Sequence, residues 1–397
     1  MIDYGKVVSE VVTKIKPSGI RKYFDLTSTM TDVISLGVGE PDFLTPDFIR
    51  EVGAKSIVEG RTKYTANIGN QDLREEVCRY VSRKYDAEYD ADKNVVITIG
   101  GSEGVDLSLR SIINPGDEII IPQPYYVCYE PLTSIAGGVP VFINTKAEHG
   151  FKLRAEDLKA AITEKTKAIL VSYPTNPTGA IMEREDWEAL VPVLQNTNIV
   201  LISDEIYAEL TFGDRKHVSP ASVPGLYERT ILINGFSKAF SMTGWRLAYI
   251  CAPEPIMAQM KKIHQYAIMS ASTTSQIAGV VALRDGDEAT EAMRREYDRR
   301  RRIIVDGFNA LGLDCVEPLG AFYSFPSIKS TGLTSEEFCE RLLYSKRVAV
   351  IPGTAFGEAG EGFVRASYCY STEHILEALR RIGEFLEELK AEKAEKK

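Results

Sequence analysis

Lys238 lies in the stretch Thr230-Ile-Leu-Ile-Asn-Gly-Phe-Ser-Lys-Ala-Phe-Ser-Met-Thr-Gly-Trp-Arg246. The β-branched apolar run at 230–233 reads as a buried strand. A lysine just past such a strand sits at the mouth of an α/β sheet, where ligands bind. In a mostly apolar pocket it loses hydration, its pKa falls, and it can attack an aldehyde. Arg246 follows eight residues on and suits a doubly charged phosphate. Lysine, aldehyde and phosphate together suggest pyridoxal 5'-phosphate (PLP). Taken alone, a surface lysine after a turn explains the same residues.

Other residues extend this chemistry. Asp204 ends the apolar run 199–203, so its carboxylate is expected at the sheet's carboxyl edge. Beside a pyridine nitrogen, a carboxylate raises the ring's pKa and holds its proton. Tyr207, three residues on, can direct its hydroxyl to the ring's phenolate oxygen; a helix N-terminus with an acidic first turn is the plainer reading. Gly100, Gly101 and Ser102 follow an expected strand and open a helix, a place where anions bind. With Ser237 and Arg246 they form a candidate phosphate cup, against the alternative of an ordinary strand-to-helix turn. Residues 173–179 form a Pro/Gly-punctuated loop that would otherwise be a surface turn. Tyr125 or Tyr126 offers an aromatic face to a flat ring, or else packs in the core. Arg365 needs a carboxylate partner, either a substrate or a structural salt bridge.

These blocks occur in a fixed order: Leu36-Gly-Val-Gly-Glu-Pro-Asp42, Tyr64, Gly100-Gly-Ser102, Tyr173-Pro-Thr-Asn-Pro-Thr-Gly179, Asp204-Glu-Ile-Tyr207, the lysine block and Arg365. In this the chain resembles the class I/II PLP-dependent aminotransferases of the aspartate/aromatic type, from about residue 34 to 371. The resemblance implies an internal role for each residue. Lys238 would hold PLP and shuttle the proton between the substrate Cα and the cofactor's C4'. Asp204 and Tyr207 would serve the ring, with Tyr126 stacked on it. Gly101, Ser102, Ser237 and Arg246 would hold the phosphate. Asn176 would reach both the phenolate oxygen and the substrate carboxylate. Arg365 would anchor the substrate α-carboxylate, and Gly39 would add a backbone contact. Tyr64 would reach the phosphate of the neighbouring subunit, so a homodimer with shared active sites is expected. Cis bonds are implied before Pro177 and Pro124. The expected activity is amino transfer between an L-amino acid of aspartate or aromatic type and a 2-oxo acid such as 2-oxoglutarate. A second basic residue, used by the aspartate-specific branch for the side-chain carboxylate, is not identifiable. Two alternatives stay open: a PLP-dependent β-lyase of the same fold, and a non-catalytic PLP-binding sensor. The latter needs a DNA-binding module, for which the segment before residue 34 leaves no room.

The elements that must position these groups alternate along the chain. Strands are expected at 94–99, 118–121, 139–143, 168–172, 199–203, 230–233 and 247–251, with helices at 102–113, 154–162 and 184–195. Buried runs with little alternation predict a mostly parallel sheet flanked by helices, the α/β architecture of PLP fold type I by resemblance. After about residue 285 a smaller α+β domain is expected. It has a charged helix at 288–311, strands at 322–328 and 349–351, and an amphipathic helix at 374–390 whose apolar face is Leu376, Leu379, Ile382, Phe385, Leu386 and Leu389. The expected division is 46–285 for the large PLP-binding domain, and 1–45 with 286–397 for the small one. The tail 390–397 is expected to fray, and Arg299–302 to form a solvated helix face.

Composition sets outer limits. A chain of 397 residues can bury two cores. The net charge of -9 argues against nucleic-acid binding. Six cysteines without a C-x-x-C pair, and four histidines out of metal-ligand spacing, suggest a reduced protein with no metal site. No signal pattern or membrane-length apolar run is present, so a cytoplasmic enzyme is expected.

Overall fold

The computed structural model describes residues 1–28 and 30–395. Seven apolar runs form one sheet: β1 (Val95–Thr98), β2 (Glu118–Gln123), β3 (Val139–Asn144), β4 (Thr166–Ser172), β5 (Val200–Asp204), β6 (Thr230–Gly235) and β7 (Ala248–Cys251). Their order is β1-β7-β6-β5-β4-β2-β3. Strand β7 runs antiparallel to β1 and β6, and every other pair is parallel. Both faces are covered. Ile231 and Ile233 share a core with Val105 and Met257 on one side, while Leu232 packs with Val77 and Ala278 on the other. Burial on both faces explains why these strands read as continuous apolar runs.

This topology makes the site possible. Six strands send their carboxyl ends to one edge of the sheet. The reversed strand β7 starts at that same edge, which delivers Arg246, two residues before it, to the mouth of β1 and β6.

Helices α1 (Gly19–Ser28) and α2 (Gly101–Ile112) line the site; α3 (Glu254–Ala267) packs on α2, and α4 (Asp287–Ala310) packs on α5 (Thr372–Glu395). Helix α4 carries a small antiparallel sheet of β8 (Tyr323–Ser324), β9 (Ile351–Pro352) and β10 (Val364–Ser367). The N-terminal segment joins this part of the molecule, since Ile34–Ser35 pairs in parallel with Val348–Ala349.

Several expectations need correction. The strand expected at 322–328 shrinks to Tyr323–Ser324. Pro326 lacks the N–H that a longer ladder needs. The apolar face of α5 holds for Leu379, Ile382, Phe385, Leu386 and Leu389, but Leu376 is 52% exposed and Ile375 and Ala378 are buried instead. The tail stays helical to Glu395, and the last two residues lie outside the described residues. Arg299–302 is not one solvated face. Consecutive helical residues step by about 100°, so four arginines in a row cannot all face outward. Arg300 and Arg301 are buried, the first on Asp42 (2.8 Å) and Glu296 (2.7 Å), the second on Asp298 (2.7 Å) and Glu317. The bonds before Pro124 and Pro177 are cis, and so is a third, before Pro174.

Candidate active site

A cleft of roughly 270 Å³ opens at the carboxyl edge of the sheet, near the lower end of the usual size of small-molecule sites. Eleven of the twelve residues singled out from the sequence line it, the exception being Tyr64.

Lys238 sits on the helical turn Phe236–Ala239, directly after β6. Its Nζ donates to the Gly39 carbonyl at 2.8 Å. Burial lowers its pKa from 10.5 to about 8. The nearby Arg246 and Arg365 push the same way, against Cys369 and Glu40. Such a lysine loses its proton far more readily than one in water.

Asp204 is the last residue of β5 and only 5% exposed. Burial raises its pKa from 3.8 to about 6, even though the Tyr129 hydroxyl donates to Oδ2 at 2.7 Å and the Ile206 N–H to Oδ1 at 3.2 Å. A buried carboxylate without a cationic partner is expensive, so a site that keeps one is prepared for a positive group.

The Tyr207 hydroxyl lies 2.8 Å from that of Tyr323, on β8. Arg365, on β10, is 1% exposed and has no ion pair among the described residues, contrary to a structural salt bridge. One Nη donates to Asn176 Oδ1 at 3.0 Å and the other to the Gly37 carbonyl at 2.5 Å. Its Nε has no partner. The guanidinium lies 4.5 Å over the Tyr323 ring and 4.9 Å over Phe356. An unpaired, desolvated fork of this kind is a ready receptor for a carboxylate.

At the other end, Gly101 and Ser102 open α2, with Ser237 and Arg246 beside them in the cleft. Gly100 has φ +112, and a Cβ there would stand 2.5 Å from Arg246 Nη2, so only glycine lets the arginine pass. Helix N-terminus, serine hydroxyls and guanidinium together suit a phosphate. Tyr126 lines the cleft, its ring edge-on to Tyr129.

Tyr64 stands apart. It is 82% exposed, so it is not packed inside its own chain. Eight other residues also line the cleft, Tyr129, Ile20 and Tyr323 among them. Tyr129 stands one turn beyond Tyr126, a spacing that could have pointed to it. Ile20 on α1 and Tyr323 on β8 come from distant segments and carry no local pattern.

Comparison with known proteins agrees with this geometry. Residues 31–382 match the family model "Aminotransferase class I and II". An aspartate aminotransferase of Pyrococcus abyssi is 43% identical over 96% of this chain and 99% of its own. An aromatic-amino-acid aminotransferase of Thermococcus litoralis is 40% identical over the same shares. The crystal structure of an aromatic aminotransferase from Pyrococcus horikoshii superimposes with a TM-score of 0.89 at 41% identity, covering 94% of this chain and 99% of that one. The chain belongs to the class I and II aminotransferases.

Proposed function

We propose that this aminotransferase uses PLP to exchange the amino group of an aspartate-type or aromatic L-amino acid with a 2-oxo acid such as 2-oxoglutarate. The observation that carries the reading is the meeting, in one cleft, of a lysine with lowered pKa, a buried unpaired carboxylate and a buried unpaired arginine. The residues fit the cofactor: Arg246, Ser237, Ser102 and the α2 N-terminus for its phosphate, Asp204 for its ring nitrogen, Tyr126 for its face, and Tyr207 and Asn176 for its phenolate oxygen. When bound, PLP supplies an aldehyde for amines and a ring that accepts electron density from the substrate Cα.

The chain's own groups do the rest. Arg365 and Asn176 bind the α-carboxylate and orient the Cα–H bond, assisted by the backbone at Gly39. Lys238 Nζ, poised near neutrality, takes the Cα proton and returns it as general base and acid. Asp204 stays ionised to hold the ring-nitrogen proton. Ile20 and Tyr126 give the substrate side chain an apolar wall, which agrees with the aromatic relatives. The β-lyase alternative gains no support from the relatives compared.

The same reading gives Tyr64 to the partner's cleft in a homodimer with shared sites, and divides the chain into a large domain at 46–285 and a small one at 1–45 and 286–397. Its cysteines are all free, and among the described residues no helix is long and apolar enough to cross a membrane. The same reading places the enzyme in the cytoplasm. The test is a panel of amino acids added to the purified holoenzyme, followed by the absorbance of bound cofactor and by oxo-acid formation. Spectral conversion with aspartate or aromatic donors, reversed by 2-oxoglutarate, is expected. Release of pyruvate and ammonia without an exchanged oxo acid would overturn it.

A further inference from the structure

Behind the phosphate turn lies an acid–imidazole pair that the reaction does not use. Strand β1 ends at Thr98, so the Ile99 N–H falls outside its ladder. The Glu103 carboxylate reaches back from the first turn of α2 and accepts that N–H at 2.6 Å. The reach resembles a capping box, with the donor moved one residue outward, from the N-cap Gly100 to Ile99. The other Glu103 oxygen lies 2.7 Å from His264 Nδ1, which therefore donates to it. His264 belongs to α3 and is fully buried, and its Nε2 has no partner. Between Ile99 and Glu103 lie Gly100, Gly101 and Ser102, the turn that faces Arg246. The link runs on beyond α3. The His264 carbonyl accepts the N–H groups of Ile268 and Met269, and the Met269 carbonyl accepts from Asn67, three residues after Tyr64.

We propose that Glu103 and His264 are positioning residues of the phosphate cup: together they lock the 99–102 turn and so set how tightly the chain holds its cofactor's phosphate. This rests on the PLP reading above. The opposite sign is equally clear in physics, because a carboxylate near an anion site repels the anion. The hydrogen bond and the charge can be separated. Glu103→Gln keeps an acceptor for the Ile99 N–H and removes the charge. Glu103→Ala removes both. His264→Phe keeps the ring volume and deletes the donor that orients Glu103.

The experiment measures the PLP dissociation constant of each full-length protein by absorbance, with the unfolding midpoint alongside. Glu103→Ala is expected to bind PLP about tenfold to hundredfold more weakly, the worth of one hydrogen bond to a charged group. Glu103→Gln should stay within about threefold of wild type, and His264→Phe should fall between them. Should Glu103→Ala not fold, His264→Phe decides: weakened binding supports the pair and unchanged binding overturns it. Variants that lower the unfolding midpoint while keeping wild-type affinity, or a Glu103→Ala that binds more tightly, also overturn it. A wild-type protein that fails to bind PLP would instead overturn the functional reading on which the pair depends.

Discussion

Asp204→Asn separates what this carboxylate does to the fold from what it does for the reaction. Burial raises the Asp204 pKa from 3.8 to about 6, about 3 kcal/mol of preference for the neutral form. The folded chain therefore binds this proton more tightly than the unfolded chain. Stability falls as pH rises from about 4 to about 6, and the full penalty is present above that window. Asparagine carries no charge and escapes it. It still offers one oxygen, but its amide nitrogen cannot accept the second of the two donors, Tyr129 and Ile206, which returns about 1 kcal/mol. The cofactor-free Asp204→Asn protein should thus be about 1–2 kcal/mol more stable than wild type at pH 7, and the gain should vanish near pH 4. Urea unfolding at the two pH values reads this directly. Amino transfer by the same variant should fall by orders of magnitude, as expected of a functional group held at some expense to stability. A variant less stable than wild type by the same amount at both pH values would rule out a charge penalty at Asp204.

Arg365→Lys keeps the charge but loses the fork, so KM for substrates with an α-carboxylate should rise about tenfold or more, while amines without one are little affected. An equal loss for both kinds of substrate in steady-state assays would point to a structural role. With Tyr64 serving the partner's cleft, as proposed, cofactor retention would depend on association. Light scattering with activity along a dilution series should show PLP and activity lost together as dimers dissociate, and Tyr64→Phe should retain PLP less well. A monomer with full PLP and activity would contradict both the dimer and the tyrosine's role.

Much of the site was legible because its residues sit at strand ends, and strand ends announce themselves as apolar runs broken by glycine, proline or charge. Lys238 after β6, Asp204 at the end of β5 and Ser102 after β1 all follow this rule. Arg246 was legible from spacing, but the reason it reaches the cleft, the reversed direction of β7, was not. What stayed hidden depends on tertiary closure. The Tyr207 hydroxyl meets Tyr323, more than a hundred residues away, and no local pattern pairs them. Leu376 was misjudged because one residue of phase on a helix turns a side chain by about 100°. Arg300 and Arg301 were misjudged because charge runs are usually solvated, and only the fold brings Asp42 and Glu317 to meet them.

The central claim is that Lys238 carries the cofactor. The direct measurement is borohydride reduction of the purified holoenzyme, followed by peptide mapping of the fixed pyridoxyl group, with Lys238→Ala in parallel. A single label on Lys238 is expected, with a Lys238→Ala variant that binds PLP without covalent attachment and has lost amino transfer by several orders of magnitude. A label on any other lysine, or near-normal transfer by Lys238→Ala, would contradict it.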